Sequence, residues 1–544
     1  MDKIFHKYWP DDVPKYIEIP NKPVDRYLRE AAQKFPENTA TTYFSVPLSY
    51  KKLDEIVDRI ATKLIDLGLK KDETVALHFT NVPPCVACYY AVLRAGGRVT
   101  LLSPLFQALE IKYQLNDSNA KICIYWEGFS QLVEPVLDAT KVEVAIQSSL
   151  GNWFIPDPVQ GDRVSEDGSV LYLEDIIMDT EPDVPKIDVN PAEDIACLQY
   201  TGGTTGLPKG AMLTHQNLVA NLEQCRAWFP EAIEGEEVML TALPLYHIYA
   251  QTVCMNFGIS LAANLVMVSN PRETEELLEA IGKNGVTIFP GVAALYNNIN
   301  NYKDVKEHDL SSIKYCLSGA GPLPLDIQTK FEKLTGAKLR EGYGLTEASP
   351  VALANPLSGR FKTGSIGLPL PNTDIKIVSM VDGSDLEIGE VGELCIKGPQ
   401  VMKGYFNRPD RNKVVLKDGW LHTGDAAMID EEGYTAIKSR IKNLIKYKGH
   451  SVYPAEVEEL LYENPAILEC GVIGMPDKEA GETIKAFIVL KDGYSDTTPG
   501  EIIEWAKKNM ARYKYPRYVK IIKEIPKTNT GKVLHRLLRD GKYE

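Results

Sequence analysis

Residues 200–210 read Tyr200-Thr201-Gly202-Gly203-Thr204-Thr205-Gly206-Leu207-Pro208-Lys209-Gly210. Glycines let backbone N–H groups turn toward an anion, threonine hydroxyls add donors, and Lys209 adds positive charge. Together they suit the cradling of a triphosphate, where a Gly/Thr-rich turn alone is often a plain loop. The segment is not a Walker A loop, because Lys209 follows Pro208 and precedes Gly210 rather than Ser or Thr. A strand-like lead-in, Ile195 to Gln199, precedes it, and a helix-period stretch begins near Thr214. Cys85 and Cys88 form a C-x-x-C, but no second pair or His cluster accompanies them. Their apolar surroundings, Val86 to Leu93, read as buried helix packing rather than a redox or zinc site.

Further segments share a pattern with the loop. Leu243-Pro244-Leu245-Tyr246-His247, Ser318-Gly319-Ala320-Gly321-Pro322 and Glu341-Gly342-Tyr343-Gly344-Leu345-Thr346-Glu347 follow it in order. Then come Gly419-Trp420-Leu421-His422-Thr423-Gly424-Asp425, Ser439-Arg440-Ile441-Lys442 and Pro526-Lys527-Thr528-Asn529-Thr530-Gly531-Lys532. This set resembles the adenylate-forming superfamily of acyl-CoA synthetases, aryl-CoA ligases, luciferases and peptide-synthetase adenylation domains. The match runs over residues 200 to 532, in family order.

The resemblance implies roles for these residues, and side-chain chemistry supports them. Thr201 to Gly206 and Lys209 would hold the phosphates of ATP, and Gly319, Ala320, Gly321 and Pro322 would form the adenine-side loop. Glu341, Gly342, Tyr343, Gly344 and Thr346 belong to the nucleotide motif, with Tyr343 as a flat face for adenine. Glu347, with Thr204 or Thr205, would be the handle for Mg²⁺, which favours hard oxygens and needs few protein ligands. Asp425 would accept hydrogen bonds from the ribose hydroxyls, and Arg440 would add a ribose or phosphate contact. Lys532 is the expected catalytic residue: its ammonium would stabilise charge that builds as a carboxylate attacks the α-phosphorus. His247 would line the acyl pocket near that carboxylate. A hinge at Lys442 would then swing the C-terminal part, bringing Lys446, Lys448 and Gly449 to the pantetheine arm and phosphates of CoA. Many relatives carry an acid beside the hinge, where this chain has Ile441-Lys442-Asn443.

The elements that must position these groups show in the patterning. Ser49 can cap a helix with Leu53, Ile56, Val57, Ile60 and Leu64 on one face. A strand at Thr74 to Phe79, a helix near Cys85 to Arg94 and a strand at Arg98 to Leu102 follow. This rhythm predicts an α/β fold with doubly wound, largely parallel sheets. After about residue 360, Gly-punctuated strands at 373–378, 392–397 and 433–438 predict a β-rich subdomain. A small α+β unit closes the chain. In it Pro454 starts a helix striped with Val457, Leu460 and Leu461, strands lie at 467–473 and 484–490, and Thr498 with Glu501 forms a capping box. The expected division is residues 1–441, an adenylation domain, and 442–544, a mobile C-terminal domain.

Composition fits this reading and excludes others. The 544 residues exceed what one core usually serves. Lys plus Arg number 60 against 74 Asp plus Glu, a net charge of −14 that disfavours nucleic-acid partners. The basic residues from Lys507 to Arg539 are interspersed with apolar ones and read as a solvated face. Nine scattered cysteines suggest reduced thiols, and neither a signal peptide nor a membrane-length apolar run is evident, so the cytoplasm is the expected location.

Gly364-Ser365-Ile366-Gly367-Leu368-Pro369, Gly398 to Met402 and Val452 to Glu456 most resemble long-chain fatty acyl-CoA ligases. The apolar stretch Phe289 to Tyr296, with small residues, is the expected acyl-pocket wall. The implied reaction joins a fatty acid to CoA through an acyl-AMP, releasing AMP and pyrophosphate. An aryl-CoA ligase, or an acyl-AMP ligase with another acceptor, is the alternative. Peripheral membrane association, and the choice between monomer and homodimer, stay open at this stage.

Overall fold

The computed structural model describes residues 3–149, 170–201, 207–448, 450–477, 479–527, 533–541 and 543. Among them four sheets form. The chain starts with the hairpin Thr39–Tyr43 and Val46–Ser49 at one margin of a nine-stranded sheet. It then builds most of an eight-stranded sheet from Thr74–His78 to Lys209–Thr214 before returning to the first with Val238–Thr241. Both sheets have parallel centres; the nine-stranded sheet is antiparallel at both margins, the eight-stranded one only at the margin that holds Lys209–Thr214. This bears out the doubly wound expectation, and it adds an alternation between sheets that local patterning does not encode.

Local signals explain most elements. The Ser49 hydroxyl accepts the Lys52 N–H and caps the helix Tyr50–Asp66, whose apolar stripe is buried. That helix packs on Pro83–Arg94, an all-buried helix that starts on Pro83, two residues before the expected start, and carries Cys85 and Cys88 inside the core. The nine cysteines are buried free thiols. Between the helices, buried Arg94 bonds Asp54 at 2.7 Å and Asp58 at 2.9 Å, and Arg29 shares both acids. Asn81, just past the strand Thr74–His78, stitches the two large sheets together. Its amide donates to the carbonyls of Thr241 (3.0 Å) and Leu243 (2.8 Å), and its oxygen accepts the Leu245 N–H at 2.9 Å.

The β-rich part holds Asp374–Val378, Gly392–Lys397, Trp420–Ile429 and Thr435–Arg440 in one antiparallel sheet. A short turn, Ile441–Asn443, follows, and the last sheet is built on Ile467–Asp477 paired with Gly481–Leu490. Its helices Pro454–Tyr462 and Pro499–Asn509 start on the expected prolines, the second with the Thr498/Glu501 capping box. Ile445, Val457, Leu461, Ile484 and Ile502 pack in a cluster separate from the main core. Among the described residues no helix is long and apolar enough to cross a membrane.

Candidate active site

The strands on either side of residues 202–206 pair with each other. Strand Ile195–Thr201 pairs with Lys209–Thr214 antiparallel, Thr201 opposite Lys209 and Tyr200 opposite Gly210. The second strand was not expected from sequence; the helix after it, His215–Trp228, starts where predicted, capped by Thr214. Gly202, Gly203, Thr204, Thr205 and Gly206 lie outside the described residues. The chain on either side of them is clamped. Tyr200 donates its hydroxyl to Asp117 (2.7 Å), Arg408 pairs with the other oxygen of Asp117 (2.5 Å), and Tyr113 bonds the Pro208 carbonyl (2.8 Å).

The outer edge of Lys209–Thr214 pairs with Gly404–Tyr405, and this pairing assembles the acid side of the site. The Tyr405 hydroxyl donates to Glu347 Oε1 at 2.5 Å, and its ring centre lies 5.6 Å from Lys209 Nζ. Burial and Arg411 lower the Lys209 pKa, with Glu347 opposing them. Glu347 sits in the turn Thr346–Ala348, directly after the strand Lys338–Gly344. That turn needs Gly344: a Cβ there would lie 2.5 Å from the Pro350 carbonyl oxygen.

Asp425 is a second held carboxylate. It is buried, and its two oxygens take the Tyr343 hydroxyl at 2.6 Å and Arg440 Nε at 2.8 Å. A carboxylate offers about four lone-pair positions, so room for ribose hydroxyls remains. The backbone reaches this place through a bulge. Cys395 pairs with His422 and Glu393 with Ala426, so Thr423, Gly424 and Asp425 oppose Leu394 alone. Gly424 adopts φ +72°. Glu393 accepts the Gly424 N–H at 3.0 Å, and Thr423 bonds the Leu394 carbonyl at 2.7 Å and the Asp425 N–H at 3.1 Å.

On the expected adenine side, the loop 319–322 follows the strand Tyr315–Ser318. There the Gly319 N–H bonds Gly291, and Ala320 takes φ +65°, a left-handed conformation uncommon for alanine. Glu341 is the register partner of Ser318; burial lifts its carboxyl to about 8, with the Leu323 backbone N–H opposing. His247 follows a turn at Pro244, and its Nδ1 accepts the Tyr249 N–H at 3.2 Å. Burial pushes its pKa down to about 4, so it is a neutral imidazole with its proton on Nε2. Gln199, on the strand Ile195–Thr201, donates to the Tyr246 carbonyl at 2.6 Å and ties the two segments together. The expected acyl wall is the strand Ile288–Gly291 and the helix Ala293–Asn301, with Phe289 and Tyr296 fully buried.

Tyr343, Asp425 and Arg440 form one bonded group and Glu347, Tyr405 and Lys209 another, and the charge of Arg440 acts on Glu347 and Tyr405 across the seam between them. Lys446 and Lys448 lie on and just after Ile445–Tyr447 in the last sheet. Gly449 and Lys532 fall outside the described residues, although a bridge between Lys527 and Val533 closes the base of the 528–532 segment. Sequence reading overlooked Tyr405, Asp117, Arg408 and Glu393. Each acts through a partner far along the chain, and the only local hint was the Gly-rich spacing around residues 392 and 404.

The AMP-binding enzyme family matches residues 28–406, and its C-terminal domain matches residues 456–532. A long-chain-fatty-acid–CoA ligase of Bacillus subtilis is 40% identical, over 98% of this chain and 97% of that protein. One from Salmonella typhimurium is 36% identical, over 99% and 98%. Among solved structures, ATP-bound MatB from Rhodopseudomonas palustris superposes with a TM-score of 0.84 at 26% identity, covering 95% of this chain and 99% of that one. The chain belongs to the AMP-binding enzyme family.

Proposed function

We propose that the protein is an AMP-forming ligase that activates a fatty acid with ATP and transfers it to coenzyme A. The observation that carries this reading is the seam itself: two tyrosine-held carboxylates, Glu347 and Asp425, beside a Gly/Thr hairpin that ends in Lys209. The named activity of the full-length relatives supports fatty acids over aryl acids.

In the first half-reaction the fatty carboxylate attacks the α-phosphorus of ATP. Pyrophosphate leaves and the acyl-AMP forms. Asp425 orients the ribose and Tyr343 backs the base. Thr201 to Gly206 with Lys209 hold the phosphates, while Lys532 meets the charge that develops on the phosphoryl oxygens. Glu347, with Thr204 or Thr205, would hold Mg²⁺; a half-buried carboxylate with lone pairs beyond the one Tyr405 occupies suits a hard cation. The ion would supply charge neutralisation at the phosphates.

In the second half-reaction CoA thiolate attacks the acyl carbonyl and AMP leaves. The proposed division, 1–441 and 442–544, serves this step. The separate C-terminal core and the short turn after Arg440 support a hinge at Lys442. Rotation would withdraw Lys532 and bring in Lys446, Lys448 and Gly449. The buried reduced thiols accord with a cytoplasmic setting.

The test is AMP and pyrophosphate release with Mg²⁺-ATP across acetate, octanoate, palmitate and 4-coumarate, with and without CoA. Turnover that requires CoA and is highest with palmitate is expected. Release limited to a single turnover and indifferent to CoA would overturn the ligase reading.

A further inference from the structure

Three metal-competent side chains converge beneath the Asp425 bulge. Glu393 and Cys395 are two residues apart on Gly392–Lys397 and share a face, and His422 is the cross-strand partner of Cys395. One ligand atom from each lies within 4.8 Å of the others. His422 Nδ1 is 3.5 Å from Cys395 Sγ and 2.8 Å from Glu393 Oε2. The site is sheltered: Cys395 is fully buried, and the side chains of His422 and Glu393 are 17% and 20% exposed.

We propose that Glu393, Cys395 and His422 form a binding site for a thiophilic divalent cation, Zn²⁺ by donor set. In tetrahedral zinc, bonds of about 2.3 Å to sulfur and about 2.0 Å to nitrogen set those two atoms about 3.5 Å apart, which is the spacing between Cys395 and His422. The nitrogen–oxygen edge should be about 3.3 Å, so the His422–Glu393 contact needs to open by about 0.5 Å. Glu393 can allow this without loosening the bulge, because it holds Gly424 through its other oxygen, Oε1. A thiolate and an imidazole exclude Mg²⁺ and Ca²⁺ as occupants, so this centre is chemically distinct from the proposed magnesium handle at Glu347. A three-residue set also leaves a fourth position for water or a small anion.

Binding exchanges a sulfur–hydrogen bond for a sulfur–metal bond, and the proton leaves to solvent. The proton between His422 Nδ1 and Glu393 Oε2 must also leave that contact, so that Nδ1 offers its lone pair to the metal and the ring proton sits on Nε2.

Cobalt(II) titration of chelator-treated full-length protein tests the site, because a cobalt–thiolate bond absorbs in the near ultraviolet. The expected result is a charge-transfer band that saturates at a single cobalt per chain, is bleached by Zn²⁺ and is unaffected by excess Mg²⁺. Cys395→Ser should abolish the band. Glu393→Gln should weaken cobalt affinity at least tenfold while the protein still melts cooperatively. Absence of the band in the parent protein, or its persistence in Cys395→Ser, would overturn the assignment.

Discussion

Glu341 carries a carboxyl that behaves at neutral pH as a neutral hydrogen-bonding group, since burial lifts its pKa to about 8. Glutamine mimics that neutral form, so Glu341→Gln should bind AMP like the parent protein at pH 7. Above pH 8 the parent should lose affinity as the acid ionises, whereas the variant should not. Calorimetric AMP titrations at pH 7 and 9 decide this, and parallel profiles would show that the carboxyl is not at the nucleotide. Lys532 invites a different comparison. Removing a positioned charge that serves the transition state typically costs about 10²–10³ in rate. Lys532→Ala should therefore lose that much in acyl-AMP formation while still transferring a supplied acyl-AMP to CoA, as pre-steady-state assays of the two halves would show. Equal losses in both halves would argue for a structural lysine instead.

Among the elements, the join between the sheets matters more to the site than any single helix. Asn81→Ala would leave two buried carbonyls, on Thr241 and Leu243, and the Leu245 N–H without their partner. Stranded buried groups of this kind cost about 1–3 kcal/mol each, partly relieved by relaxation, so a loss of about 2–4 kcal/mol in urea unfolding is expected. Because Leu245 leads directly to His247, the KM for the fatty acid should rise as well. Helices with a cap and a 3.6-residue stripe, such as Tyr50–Asp66 and Pro499–Asn509, were legible in sequence because their determinants are local. The strand Lys209–Thr214 was not, because six residues holding a glycine carry little period-2 signal and gain their pairing from partners on both sides. The bulge at Thr423–Asp425 escaped notice for a related reason. Register is a property of two strands, and here the second strand lies some thirty residues earlier. The motif residues of the site were readable from their resemblance to a family, whereas the residues that hold them, Tyr405 and Glu393, emerged only from the fold.

For the molecule as a whole, desolvation pushes buried His78 and His215 and part-exposed His247 down to about 4. An unfolded chain binds protons on these rings near pH 6.5, while the native state does not. The unfolded state therefore holds more protons between pH 6.5 and 4, and stability rises with pH across that window. The contribution is fully present above pH 6.5 and is lost as pH falls toward 4. For nearly inaccessible His78 and His215 it is on the order of 3 kcal/mol each. Urea midpoints should fall steadily from pH 7 to pH 4.5, and a flat profile would contradict the burial of these rings.

The order in which the chain lays its strands also bears on its synthesis. The paired strands Ile195–Thr201 and Lys209–Thr214 leave the ribosome early, yet the segment that closes their outer edge, Gly404–Tyr405, comes only after the nine-stranded sheet has been made. Throughout that interval Lys209–Thr214 presents open backbone donors and acceptors, a template for pairing with another chain. A nascent chain stalled before residue 404 should therefore be the form that self-associates and engages chaperones, while release of the completed chain seals that edge and finishes the acid side of the site in the same event.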